Sequence, residues 1–135
     1  MIGKRVLLVE DDLDIQHFVQ MVLSLEGAAL TIAATGAEAL ALFRDGEQHD
    51  LMILDLTLPD ISGWDVLHRV QALVPTTRCR VVIFSASSDS AAVRRATAAG
   101  VTYITKPVDA RRLVRTVKRL LRGPVEPVEP VADAG

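Results

Sequence analysis

The chain has 135 residues, half of them apolar, and a formal net charge of −2. This length predicts one domain with a buried core, and the mixed charges give no global indication of a nucleic-acid or membrane partner. The single cysteine, Cys79, excludes an internal disulfide and fits a reducing cytoplasm, where we expect the protein. We find neither a signal peptide nor an apolar run of the roughly 18 residues that a membrane span needs.

Short apolar runs typical of buried strands alternate along the chain with segments of helical periodicity. Strands are predicted at residues 5–10, 28–33, 51–54, 80–84 and 101–105. A helix is predicted after each strand, the third over residues 64–73 and the fourth over residues 89–99. This alternation predicts a parallel sheet with helices on both faces.

The fourth and fifth helices differ in how much apolar surface they can bury. The fourth is rich in alanine, with Val93 as its largest apolar residue, so we expect it to be the least firmly held. The fifth is capped by Asp109 and ends at Gly123–Pro124. Residues 124–135, PVEPVEPVADAG, have no periodicity that could build a core. We therefore predict a domain over residues 1–123 and a Pro/Glu-rich flexible tail or linker over 124–135.

Polar residues follow several of the strands directly. These residues are Asp11, Asp12, Asp55, Ser85 and Lys106. Parallel strands end at one edge of their sheet, so the five side chains are predicted to converge there. Three neighbouring carboxylates must take up protons or bind a cation, and an all-oxygen set favours magnesium over zinc or copper.

This constellation suits phosphoryl transfer. A lysine opposite a metal can clamp a phosphoryl group, and a carboxylate can act as the nucleophile. Asp55, on the central strand, is best placed for that role, which leaves Asp11 and Asp12 to hold the metal. Taken singly, each residue is explained better by an ordinary role, such as a helix N-cap for the Asp11–Asp12 pair. The joint occurrence favours a functional site.

Four motifs, LLVEDD, ILDLTLPDISG, VVIFSA and YITKP, occur in this order along the chain. With them the sequence resembles the receiver domain of the two-component response regulator family over about residues 4–123. The resemblance implies a flavodoxin-like, doubly wound sheet of five parallel strands in the order 2-1-3-4-5, with five helices. It also implies a phosphorylation-activated switch that is not an enzyme, although it takes part in its own magnesium-dependent phosphorylation and dephosphorylation.

The resemblance assigns roles in phosphorylation. It implies that Asp55 accepts a phosphoryl group from a histidine kinase or a histidine phosphotransfer protein. Asp12 would ligate magnesium directly, Asp11 largely through water, and the backbone carbonyl of Thr57 would be a further ligand. Lys106 would pair with the phosphoryl oxygens.

The resemblance also assigns the switch. Ser85 takes the hydroxyl position and Tyr103 the aromatic position, and Lys106–Pro107 matches the family's cis peptide bond. Phosphorylation would then shift the surface around Tyr103 and the last two helices, which is the candidate surface for a downstream protein, an output domain or a homodimer. The basic residues of the last helix are interpreted as a solvated face, with no direct nucleic-acid contact.

Three other interpretations compete with this one. The chain could be a receiver module excised from a longer response regulator or a hybrid histidine kinase. A hydrolase of the haloacid dehalogenase type would want a carboxylate two residues after the nucleophile, where Thr57 stands. A pseudo-receiver used only for docking would need neither the acidic pair Asp11–Asp12 nor the combination of Asp55 with Lys106.

The remaining candidates for chemistry are assigned structural roles. Cys79 is interpreted as a buried structural residue and Trp64 as packing at the start of its helix. The three histidines, His17, His49 and His68, are interpreted as surface residues, and their spacing does not favour zinc.

Overall fold

The computed structural model describes residues 1–75 and 78–122. The predicted tail at residues 124–135 and the predicted domain boundary at Gly123 lie outside the described residues. Across the described ranges, no helix has the length and apolar character that crossing a bilayer requires.

Five strands and five helices alternate along the described residues, as the sequence predicts. The strands are β1 Arg5–Val9, β2 Ala29–Ala33, β3 Leu51–Leu54, β4 Arg80–Ser85 and β5 Thr102–Thr105. The helices are α1 Leu13–Leu25, α2 Gly36–Arg44, α3 Gly63–Leu73, α4 Ser90–Ala98 and α5 Ala110–Leu121.

All strand pairs are parallel, and the strand order is β2-β1-β3-β4-β5, which confirms the predicted fold class. The pairing places Val9 beside Leu54, and Leu54 beside Ile83. Ser85 pairs in turn with Thr105. The ends of β1, β3, β4 and β5 therefore form one line, which we call the carboxyl edge of the sheet.

The central strand β3 is buried on both faces. Met52 and Leu54 pack into the cluster formed with α2 and α3, whereas Leu51 and Ile53 pack into the cluster formed with α1 and α5. Alternate residues of a strand point to opposite faces, so four consecutive apolar residues supply both layers.

Helix α4 is held less firmly than the others. Ala96 is its one buried residue, and Val93 is 36% exposed. Burying a leucine contributes roughly 2 kcal/mol to folding, whereas one methyl group contributes about 0.8 kcal/mol. The expectation of small burial for the fourth helix is therefore confirmed.

The interpretation of all three histidines as surface residues is wrong for His49. Its side chain is buried edge-on against the ring of Phe43, with the ring centroids 5.5 Å apart. Neither ring nitrogen has a hydrogen-bond partner among the described residues. Burial lowers the pKa of His49, and the charge of Glu47, whose Oε1 lies 3.6 Å from Nε2, opposes this only in part. His17 and His68 are exposed, as expected.

We expect His49 to make folding sensitive to acid. In the unfolded chain its pKa is near 6.5, above the folded value, so the unfolded state binds the proton first as pH falls. The free energy of unfolding should then fall by up to about 1.4 kcal/mol per pH unit below about pH 6.5. Denaturant unfolding at several pH values, for the wild type and His49→Gln, measures this contribution.

The exposed His17 supplies the matched control. His17→Gln should retain the pH dependence of the wild type, whereas His49→Gln should flatten it. Parallel curves for the wild type and His49→Gln would contradict this role of His49.

Candidate functional site

The carboxyl edge positions its polar residues by extending the hydrogen bonding of the sheet. The backbone N–H of Asp55 donates to the carbonyl of Val9 at 3.0 Å, just beyond the end of β3. The backbone N–H of Lys106 likewise donates to the carbonyl of Ser85 at 2.7 Å. The backbones of Asp55 and Lys106 are therefore fixed by neighbouring strands.

Lys106 lies between two buried carboxylates at this edge. Its Nζ is 2.8 Å from Oε1 of Glu10 and 3.3 Å from Oδ2 of Asp55. Glu10 is 1% exposed and Asp55 is 5% exposed, and the Phe84 ring centroid lies 5.3 Å from the same Nζ. The lysine neutralises charges that would be costly to bury alone.

The protonation of these groups is set by burial and by their contacts with one another. Burial raises the pKa of Glu10, because a low dielectric disfavours its charged form, and the hydrogen bond from Lys106 offsets this in part. Burial alone would lower the pKa of Lys106. The hydrogen bond to Glu10 and the nearby charge of Asp55 outweigh that effect, so the pKa of Lys106 lies above its ordinary value. The ammonium group is therefore firmly charged at neutral pH.

Three carboxylates meet beside the lysine. Glu10, Asp11 and Asp55 each bring an oxygen within 4.8 Å of the other two, and we call these residues the acidic cluster. Their all-oxygen character fits a hard divalent cation such as magnesium.

Asp12 stands outside the acidic cluster, although the sequence placed it there. Its Oδ1 accepts hydrogen bonds from the backbone N–H groups of Asp14 at 2.9 Å and Ile15 at 3.1 Å, so it is the N-cap of α1. Its own N–H donates to Oε2 of Glu10 at 3.1 Å. The carboxylate of Asp12 is thus engaged by its own helix, and Glu10 and Asp11 are the acidic residues that meet Asp55 at the edge.

Sequence reasoning missed Glu10 because it counted this residue as the end of the first strand. The available signal was the N-cap pattern at Asp12, which directs that carboxylate toward α1 and leaves Glu10 and Asp11 for the edge. The structure brings together the other expected members, Asp55 and Lys106.

The loop between β3 and α3 is fixed at several points. The N–H of Thr57 donates to Oδ1 of Asp55 at 3.1 Å. Both oxygens of Asp60 accept hydrogen bonds at 2.9 Å from the first N–H groups of α2, at Gly36 and Ala37, and these bonds lower the pKa of Asp60. A Cβ added at Gly63 would lie 2.6 Å from the Cα of Leu56, so this close approach requires glycine. Thr57 is consequently held beside Asp55.

The two expected switch residues converge on Ser87. The buried Oγ of Ser85 accepts a hydrogen bond from the N–H of Ser87 at 3.2 Å. The hydroxyl of Tyr103 donates to the carbonyl of Ser87 at 2.6 Å. The start of the loop into α4 is therefore held from both sides. The Lys106–Pro107 peptide bond is cis, as the resemblance implied.

Polar contacts also attach α4 to α3. The guanidinium of Arg95 lies over the half-buried ring of Trp64, 4.4 Å from its centroid. Nε2 of Gln71 donates to the carbonyl of Ala99 at 3.3 Å. An exposed cation–π contact contributes about 0.5–1 kcal/mol, so the contacts between α3 and α4 can be broken with a small loss of free energy.

The sequence profile of the response regulator receiver domain family matches residues 6–118. The chain belongs to this family. The resemblance found in the sequence is thereby confirmed, and the protein is a receiver domain of two-component response regulators. Receiver domains are generally not enzymes; they bind magnesium at an acidic pocket and interact with histidine kinases and output domains.

Individual relatives agree with this assignment. The transcriptional regulatory protein TrcR of Mycobacterium tuberculosis is 36% identical over 123 residues, which cover 87% of this chain and 45% of that protein. A 14.6 kDa protein of Leptolyngbya boryana is 30% identical over 84% of this chain and 87% of its own length. The chain spans about half the length of several curated relatives it matches.

A solved structure agrees as well. The CheY-like receiver domain protein from Methanospirillum hungatei superposes with a TM-score of 0.81 at 32% identity, covering 88% of this chain and 94% of that one. The fold and the family are therefore established by sequence and structure together.

Trp64 provides a direct test of the contact between α3 and α4. It is the one tryptophan of the chain, so tryptophan emission reports on this contact alone. We expect Arg95→Ala to shift the emission maximum to longer wavelength, because the ring becomes more exposed to water. Arg94→Ala, the matched change at the neighbouring exposed arginine, should leave the spectrum unchanged. Identical spectra for the wild type and Arg95→Ala would contradict the contact.

Proposed function

We propose that this receiver domain is a phosphorylation-activated switch and that Asp55 is the phosphoacceptor. The observation that carries the proposal is the position of the buried Asp55 carboxylate. Lys106 Nζ lies 3.3 Å from it, and Glu10 and Asp11 each bring an oxygen within 4.8 Å of it. Asp55 can thus act as a nucleophile between a fixed cation and a site for a second cation.

Magnesium is the proposed cofactor, held by the side chains of Asp11 and Asp55 and by the backbone carbonyl of Thr57. Both oxygens of Glu10 are already engaged, one by Lys106 and the other by the N–H of Asp12. We therefore assign Glu10 an indirect role in place of Asp11, and Asp11 the direct role expected of Asp12. When bound, the ion supplies positive charge that offsets the carboxylates and the incoming phosphoryl oxygens.

In the proposed reaction, a carboxylate oxygen of Asp55 attacks the phosphorus of a phosphohistidine in a kinase or phosphotransfer protein. The new P–O bond forms as the P–N bond breaks, and the imidazole nitrogen of the donor leaves with the bonding electrons. Lys106 neutralises charge on the phosphoryl oxygens, for which its raised pKa keeps it protonated.

The proposed switch uses the contacts at Ser87. A phosphoryl group at Asp55 adds acceptor oxygens beside the carboxyl edge, and Ser85 can turn its hydroxyl toward one of them. That would exchange the hydrogen bond that Ser87 now donates to Ser85, while Tyr103 remains bonded to the carbonyl of Ser87. Helix α4 would then move with Ser87, because a helix with one small buried side chain is weakly anchored to the core.

The surface formed by Tyr103, α4 and α5 is the proposed readout. A downstream protein or an output domain would bind it, and a homodimer through α4 and α5 is a further candidate. The relative TrcR is a transcriptional regulatory protein about twice the length matched here, which supports the output-domain form. The compact relative from Leptolyngbya boryana supports the separate form.

We expect acetyl phosphate with magnesium to add one acid-labile phosphoryl group to the wild type, measured by intact-protein mass spectrometry. Asp55→Asn should abolish the addition, because an amide oxygen is a much poorer nucleophile than a carboxylate. The exposed Asp65 on α3 supplies the control, and Asp65→Asn should be modified as fully as the wild type. An unmodified wild type would refute the proposal.

The proposed assignment of the metal ligand to Asp11 in place of Asp12 gives a second prediction. Asp11→Asn should raise the magnesium concentration needed for half-maximal phosphorylation by at least about tenfold, as loss of a ligand does. Asp12→Asn should change it little, because asparagine caps a helix about as well as aspartate. Equal losses in the two variants would return Asp12 to the metal site.

A further inference from the structure

We propose that the acidic segment of this chain, residues 124–135, docks in a groove between α1 and α5. This interaction lies away from the carboxyl edge and does not depend on the phosphorylation of Asp55. Its basis is the match between an apolar, positively charged groove and an adjoining segment that carries valines and glutamates at a fixed spacing.

The groove is a concave surface with a volume of about 520 Å³. Its floor is apolar and is contributed by Val22 and Leu25 of α1 and by Ala110 and Val114 of α5. Leu25 is 83% exposed and adds its apolar side chain to this floor. We call this surface the α1–α5 groove.

One rim of the groove is a row of positive charges. Arg111, Arg115, Lys118 and Arg122 follow one another at intervals of four, three and four residues, so they share one face of α5. Lys118 pairs with Glu26 at 3.0 Å, whereas the three arginines form no ion pair within residues 1–75 and 78–122. The row extends over about 16 Å at 1.5 Å per residue.

The acidic segment repeats with a period that suits this surface. Its valines at 125, 128 and 131 and its glutamates at 126 and 129 recur every three residues between prolines. In a polyproline II conformation, which such a repeat favours, the two glutamates stand about 9 Å apart and the valines share one edge. On α5, Arg111 and Lys118, or Arg115 and Arg122, are about 10 Å apart. The charges of the two surfaces can therefore pair in register while the valines cover the apolar floor.

The connection also permits docking. The segment follows Arg122, a residue of the rim, after one intervening glycine. Twelve extended residues reach about 37 Å, which is enough to reverse direction and run back along the row. Tethering raises the effective concentration of the segment at the groove to about the millimolar range, so a weak interaction suffices.

Charge selects this occupant over a second copy of the domain. The acidic segment carries three carboxylates, at Glu126, Glu129 and Asp133, against three arginines that are free of acidic partners in the described structure. Two copies packed through the same groove would instead place their basic rows together, which is unfavourable. The docked segment would cover the basic face of α5 and the exposed end of α1, and a partner of this surface would have to displace it.

The full-length chain with a spin label at Ala134→Cys tests the proposal by paramagnetic relaxation of the backbone amide signals. Cys79 will not compete for the label, because it is buried and burial raises the pKa of its thiol to about 12. We expect strong loss of signal at Leu25 and Arg115. The signals of α3, on the opposite face of the sheet, should be unaffected.

Two charge-reversal variants on α5 separate docking from general attraction. Arg111→Glu with Arg115→Glu should abolish the loss of signal. Arg112→Glu with Arg119→Glu changes the net charge equally at exposed positions outside the groove, and should preserve it. Adding Glu126→Arg and Glu129→Arg to the first variant should restore it. An equal effect of the two pairs would overturn the proposal.

A mixed sample identifies the occupant. Spin-labelled chain without isotope is combined with isotope-labelled chain that carries no spin label. We expect no loss of signal in the mixture, because docking is within one chain. Loss at the α1–α5 groove in the mixture would assign the groove to a second copy, and equal loss on both faces of the sheet in the labelled chain would show that the segment has no preferred site. Either result would overturn the proposal.

Discussion

The partly buried ammonium group of Lys106, shared between Glu10 and Asp55, is the interaction on which the carboxyl edge depends. Two carboxylates in a low-dielectric setting would repel each other and take up protons, so neither would suit a nucleophile. The lysine allows them to remain close, at 2.8 Å and 3.3 Å from its Nζ. Parallel strand pairing makes this possible, because it aligns the ends of β1, β3 and β5 although their residues are distant in sequence.

Much of this arrangement could be predicted from the sequence, because it follows from strand ends. An apolar run such as Leu51–Leu54, bounded by turn residues, is typical of a strand buried on both faces, and the residue after such a strand lies at the edge of the sheet. Asp55 and Lys106 were found in that way. The family motifs then supplied the strand order, which periodicity alone does not contain.

Two features differ from what the sequence suggested, for different physical reasons. Asp12 can be a ligand or a helix cap, and only the geometry shows its oxygen bound to the N–H groups of Asp14 and Ile15. His49 lies in a polar stretch of sequence, yet the ring of Phe43 and the adjoining loops bury it. The two cases differ, because the cap at Asp12 is a local contact whose pattern the sequence already offered, whereas the burial of His49 depends on packing that the local sequence does not show.

Asp60 connects the loop after β3 to the start of helix α2. By accepting hydrogen bonds from Gly36 and Ala37, it supplies the start of α2 with a cap from a different element. The segment that carries Thr57 is thus coupled to the opposite side of the domain from α4. Any displacement of that segment would loosen the first turn of α2. Phosphorylation of Asp55 would then be detectable by amide exchange in α2 as well as at Tyr103.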